Sequence, residues 1–248
     1  MDRKLKVAGI RPGTLIHKYT PMNGLSLPIG LAYVLGSIKD LDIEIKAIDG
    51  TGESPLMSNA KTYSKRNKIL GLSNDEILKR LGDFYPDVVL LTCMFSVDWL
   101  LNKDLIKKIR KKFPKSIIIG GGEHFSAMPE FCLKESELDC VVYGEGEDSI
   151  KEIISKILNN EYGKLPVEGT YIKINGKILQ GAPRARIRNL DYMPWPAWEF
   201  FDVSIMLDNG LGHTSFGKEN FRPMPLNATR GCPYECTFCS NPQMWGRL

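Results

Sequence analysis

The chain has 248 residues, 43% of them hydrophobic, and a formal net charge of +4 from 33 basic and 29 acidic side chains. That is enough apolar material for one packed domain with an appended smaller piece, and so even a charge balance leaves no general electrostatic footprint for nucleic acid. No apolar stretch is long enough for a signal peptide or a membrane span, so the chain is expected to stay in the cytoplasm.

From the N-terminus, short runs rich in Val, Ile and Leu alternate with amphipathic segments. The runs predict strands at 5–10, 43–48, 88–92, 117–119 and 140–143, and the segments between predict helices at 29–39, 74–84, 97–113, 129–134 and 149–159. Strand–helix alternation of this kind predicts a Rossmann-like α/β fold, a five-stranded parallel sheet covered on both faces. Ser73 followed by Glu76 makes a capping box at the second helix. The basic run 107–112 lies on the third, whose apolar residues Leu105, Ile106, Ile109 and Phe113 recur at helical spacing, so it reads as a solvated face.

In such sheets ligands lie beyond the carboxyl ends of the strands. Three loops there carry candidate cofactor-binding residues: Ser96 after the third strand; Gly121, Gly122, Glu123 and His124 after the fourth; Gly144, Glu145, Gly146 and Glu147 after the fifth. Glycines let a ligand approach the backbone, and the following helix starts offer free amides, although the same glycines would also serve merely to turn the chain. The dinucleotide fingerprint is missing: the first turn reads Gly9-Ile10-Arg11-Pro12-Gly13, and Asp49, placed where a ribose would be held, is a weak signal alone.

Further on, Asn175-Gly176 between two alternating runs predicts a hairpin with a type I′ turn. Residues 183–224 then form a proline-rich connector with Tyr192, Trp195, Trp198, Phe200 and Phe201. Its rings suggest an ordered segment packed on the domain, since free linkers are poor in aromatics.

The last segment holds Cys232, Cys236 and Cys239 in the pattern C-x3-C-x2-C. Three thiolates on one loop suit three irons of a cubane cluster and leave one iron open. Zinc is the competing reading, but zinc ribbons prefer paired C-x2-C units with four ligands, and the nearest other donor is His213. The remaining thiols, Cys93, Cys132 and Cys140, stand alone in apolar or helical surroundings and fit packing roles in a reducing compartment.

The run TRGCPYECTFCS, with a strand expected at 225–228 before it, resembles the cluster loop of radical S-adenosylmethionine enzymes. The segments LPIGLAYVLGSI, IIIGGGEHFSAMPE and VVYGEGEDSI resemble the cobalamin-binding domain found ahead of such loops, and NLDYMPWPAWEFFD resembles its connector. The resemblance implies three parts: a cobalamin-binding domain over 1–182, the connector over 183–224, and the start of a truncated radical S-adenosylmethionine barrel over 225–248. It implies that Cys232, Cys236 and Cys239 hold a 4Fe-4S cluster and that Phe238 lies near the adenine of S-adenosylmethionine. Cobalamin is implied as the third cofactor, and flavodoxin or ferredoxin as electron donor. Methyl transfer to an unactivated carbon or phosphorus of a small-molecule or peptide substrate is the expected outcome, although ring-forming and rearranging members exist.

Two departures matter. None of His17, His124 or His213 has the Asp two residues earlier that marks the cobalt-ligating histidine of cobalamin mutases, which leaves the lower axial ligand open, with His124 the tempting substitute. Gly121-Gly122-Glu123 mimics the Gly-Gly-Glu segment of the radical barrel but precedes the cluster loop, whereas the barrel segment follows it. With nine residues after Cys239, the chain is expected to be an incomplete enzyme, inactive alone. The alternative from another class is a non-catalytic α/β binding module with a metal-binding tail.

Overall fold

The computed structural model describes residues 3–19, 25–209, 222 and 224–241. In chain order the elements are β1 (Leu5–Arg11), β2 (Thr14–His17), α1 (Ile29–Ile38), β3 (Ile43–Asp49), β4 (Lys61–Thr62), β5 (Asn67–Leu70), α2 (Asn74–Leu81), β6 (Val88–Thr92), α3 (Trp99–Lys112), β7 (Ile117–Gly121), α4 (Glu123–Ala127), α5 (Pro129–Glu135), β8 (Cys140–Val142), α6 (Glu147–Leu158), β9 (Thr170–Ile174), β10 (Lys177–Gln180) and α7 (Ser204–Asp208). All five expected strands form, and they lie parallel in the order β3-β1-β6-β7-β8. The sheet is wider than expected, because the Asn175-Gly176 hairpin, with both residues at positive φ, adds β9 and β10 antiparallel beyond β8.

Successive strand residues feed opposite layers, as strand geometry requires. Ala8, Val89 and Leu91 pack with Ile77, Leu105, Ile109 and Phe125 from α2, α3 and α4, while Val7, Val88 and Leu90 pack with Leu31, Leu35, Ile150 and Ile154 from α1 and α6. The predicted capping box is present at α2: the Glu76 amide donates to Ser73 Oγ, and Ser73 N donates to the Glu76 carboxylate at 2.7 Å. Lys61 pairs with the same carboxylate and holds it down at a pKa of about 2.

The sequence reading missed a second, three-stranded sheet in the order β2-β5-β4, whose strands of two to four residues are too short to show a period. It also missed α4 and α7, five residues each. The strand expected at 225–228 does not form: among the described residues this stretch has no ladder partner. Residues 210–221, with His213, and the end of the tail lie outside the described residues.

The connector packs only in part as expected. Trp198, Phe200 and Phe201 join the α1–α6 layer, and Ala197 N donates to Ala32 O at 2.9 Å, but Tyr192 and Trp195 are exposed. α1 is therefore buried on both sides, by the sheet and by the connector. No helix among the described residues is long and apolar enough to cross a membrane.

Candidate functional site

The chain runs from β1 outward to β3 and then back to β6 on the other side, so the order reverses between β1 and β6. Open parallel sheets take ligands at such a crevice. One half of this rim is already filled. Arg11 at the end of β1 makes a two-pronged ion pair with Asp49 at the end of β3, at 2.5 and 2.7 Å, and donates to Ser26 O at 2.5 Å. The small sheet is tied across to the loop after β6, where buried Asp98 accepts from Leu15 N at 2.7 Å and from the Thr14 hydroxyl at 3.0 Å. Burial raises the Asp98 carboxyl above its usual range, against the lowering effect of those two donors.

Among the described residues, the rim beyond β7 and β8 is open. A Cβ placed on Gly121 or Gly144 would meet no heavy atom of another described residue within 4 Å, and Met94, Phe95, Val97 and Met128 are exposed in the neighbouring loops. Exposed apolar side chains beside open backbone suit a large flat ligand with an apolar face. The three loops are cross-tied: Ser96 Oγ lies 2.9 Å from His124 Nδ1, and Gly144 N donates to Ser126 Oγ at 3.1 Å. Gly122 is at φ 99° and ψ 178°, a glycine-only conformation, with the Cys93 carbonyl where a Cβ would be. Glu123, half-buried, opens α4.

His124 is buried and packed against Trp99, with ring centroids 5.3 Å apart. Burial lowers its pKa, since desolvation disfavours the charged ring. Its Nδ1 faces exposed Ser96, whereas buried Nε2 has no hydrogen-bond partner among the described residues.

At the C-terminal end, Cys232 is half-buried and Cys236 and Cys239 are exposed, with Cys239 N donating to Cys236 O at 3.0 Å in a tight turn. Phe238 is 91% exposed. Among the described residues no three His, Cys, Asp or Glu side chains converge on one point, so the thiols share a loop without being drawn together. The loop is nevertheless anchored. Arg230 Nη1 donates to Glu145 Oε1 at 3.1 Å and its Nη2 to Glu147 Oε1 at 2.5 Å, and all three side chains are buried. Glu145 and Glu147, expected at the cofactor, meet Arg230, whose guanidinium supplies the counter-charge that a buried carboxylate needs.

Residues 22–154, more than half of the chain, match the family model described as the B12 binding domain. The chain belongs to the B12-binding domain family. Among curated relatives, it is 28% identical over 222 residues to an uncharacterised methyltransferase of Pyrococcus horikoshii, covering 89% of this chain and 42% of that protein. It is 25% identical over 267 residues to the cytidylyl-2-hydroxyethylphosphonate methyltransferase of Streptomyces wedmorensis, covering 99% and 49% respectively. The chain therefore spans less than half the length of these relatives. The fold matches that of OxsB, a cobalamin-dependent S-adenosylmethionine radical enzyme solved with aqua-cobalamin and S-adenosylmethionine bound, at a TM-score of 0.67 and 18% identity, over 95% of this chain and 28% of that one.

In this cobalamin-binding domain, the Asp49 carboxylate is buried and engaged by Arg11 on both oxygens and by Gly52 N. The isolated thiols are as expected: Cys93, Cys132 and Cys140 are buried, and burial pushes all three up, Cys132 to about 12, which makes them inert. Sequence reasoning missed Arg230 as a site-building residue, and with it Tyr33, whose ring lies 5.2 Å from that guanidinium. Arg230 lay in plain view beside Cys232, but only the tertiary structure shows what it meets.

Proposed function

We propose that this chain is the N-terminal portion of a cobalamin-dependent radical S-adenosylmethionine enzyme that methylates an unactivated carbon or phosphorus centre. The observation that carries this reading is the docking of a C-x3-C-x2-C loop, through Arg230, onto the turn that leaves the open half of a cobalamin-binding rim. The likeness to a phosphonate methyltransferase along nearly the whole chain supports it.

In this reading, residues 1–182 hold cobalamin, 183–224 connect, and 225–248 begin the radical domain. Gly121 and Gly144 would let the corrin approach the backbone, and Met94, Phe95 and Val97 would offer it apolar contact. Ser96, held by His124, turns a hydroxyl to the rim, and Glu123 and the α4 start offer polar groups beside it. His124 would orient Ser96 through Nδ1, its Nε2 being buried. Cys232, Cys236 and Cys239 fit an iron–sulfur cluster by donor type, and the exposed ring of Phe238 is free to stack on an adenine. Bound together, the cofactors supply an electron for splitting S-adenosylmethionine and a transferable methyl group. A flavodoxin or ferredoxin would deliver the electron.

Anaerobic loading with iron and sulfide tests the cluster half. A broad visible absorbance that is lost in Cys236→Ala supports it, whereas stoichiometric zinc without iron would leave a binding module with a metal-binding tail. Retention of hydroxocobalamin through gel filtration tests the other half, and loss of the cofactor there counts against it.

A further inference from the structure

The Gly-Glu-Gly-Glu turn between β8 and α6 does more than cap a strand. Its two carboxylates grip one guanidinium, and the side chains of Arg230, Glu145 and Glu147 are 4%, 7% and 7% exposed. The grip reaches further on each side. Glu145 Oε2 accepts from Ile187 N in the connector at 2.7 Å. The Tyr33 ring of α1 lies against the guanidinium at 5.2 Å, and the Tyr33 hydroxyl accepts from Asn227 N at 3.2 Å. Gly231, at φ 95°, passes under the guanidinium of Arg186, which stands 2.8 Å from where a Cβ would be.

Residues 227–231 are thus held by α1, by the connector and by the β8–α6 turn, immediately ahead of the first cysteine. The chain beyond them, at Cys236, Phe238 and Cys239, is exposed. Glu147 opens the first turn of α6, where the free amides and dipole favour an anion. A buried charged group of this kind contributes fixed geometry more than stability, since its desolvation offsets much of the attraction. The same turn begins at Gly144, on the open rim.

We propose that Arg230 is a positioning residue: clamped by Glu145 and Glu147, it fixes where the three-cysteine loop stands on the cobalamin-binding domain, so that the β8–α6 turn encodes the spacing between the two cofactor sites. The proposal rests on the reading of that loop as a cluster loop.

Hydrogen exchange on the 248-residue chain tests the clamp without reference to activity. In Arg230→Gln, and in the near-isosteric Glu147→Gln, amides of 226–232 should exchange at least about tenfold faster, while β1, β6 and β7 keep their protection. After anaerobic iron loading, the electron paramagnetic resonance signal of the reduced cluster should broaden in both variants at unchanged iron content, because the loop no longer holds one geometry. Wild-type protection of 226–232 in both variants, or an unaltered cluster signal, overturns the clamp. Failure of the wild-type chain to take up iron would instead overturn the cluster reading, and the exchange result would still decide the clamp.

Discussion

Two adjacent glycines separate ligand space from backbone requirement at the rim. Gly121 has open space where a Cβ would be, and as the last residue of β7 it tolerates a β-branched side chain. Gly121→Val should therefore change stability by no more than about 0.5 kcal/mol. It should weaken hydroxocobalamin binding at least about tenfold, or ~1.4 kcal/mol, in an equilibrium titration. Gly122 is the reverse case, with a glycine-only φ of 99° and the Cys93 carbonyl 2.9 Å from a built Cβ. Gly122→Ala should cost about 1–3 kcal/mol in denaturant unfolding, because strain at such a position acts on the fold itself. The sequence places these glycines side by side and cannot tell which serves which purpose, since φ and free space are tertiary quantities. The same holds for Glu145 and Glu147, whose place in a rim loop suggests a cofactor and does not reveal the bonds they accept from Arg230.

At the scale of elements, local chemistry sufficed wherever an element carried its own signal. Ser73 and Glu76 announce the start of α2, Asn175-Gly176 announces the β9–β10 hairpin, and the Val, Ile and Leu runs announce five buried strands. Ser73→Ala should cost about 1 kcal/mol, read as a lower urea midpoint with an unchanged slope, since it removes the acceptor for the Glu76 amide without altering buried area. Elements without a period were illegible. β2, β4 and β5 form because Asp98 and the Arg11–Gly50–Leu72 backbone bonds hold them over the rim, and their own residues carry too little pattern to show it. The strand expected at 225–228 fails for a related reason: a strand needs a ladder partner, and none of the described residues supplies one.

For the whole molecule, the connector and the cysteine loop are held on one domain through α1 and the β8–α6 turn. Gly36 of α1 lies against the connector, with the Trp195 carbonyl only 2.5 Å from where a Cβ would be. Replacing a helical glycine by alanine ordinarily stabilises by about 0.5–1 kcal/mol. Gly36→Ala should instead destabilise by about 1–3 kcal/mol and speed amide exchange at Ala197, because the added methyl pushes the connector off the helix. The sequence by itself determined the parallel α/β sheet, the hairpin, the rim loops and the three-thiol spacing, since each rests on periodicity or on residues a few positions apart. Only the tertiary structure decided that one half of the rim is filled by Arg11 and Asp49, that the rim beyond β7 and β8 is open among the described residues, and that Arg230 meets carboxylates 85 and 83 residues earlier in the chain. Pairings over such distances leave no local pattern: each partner alone is an ordinary charged residue, and burial of the two together gives them their meaning.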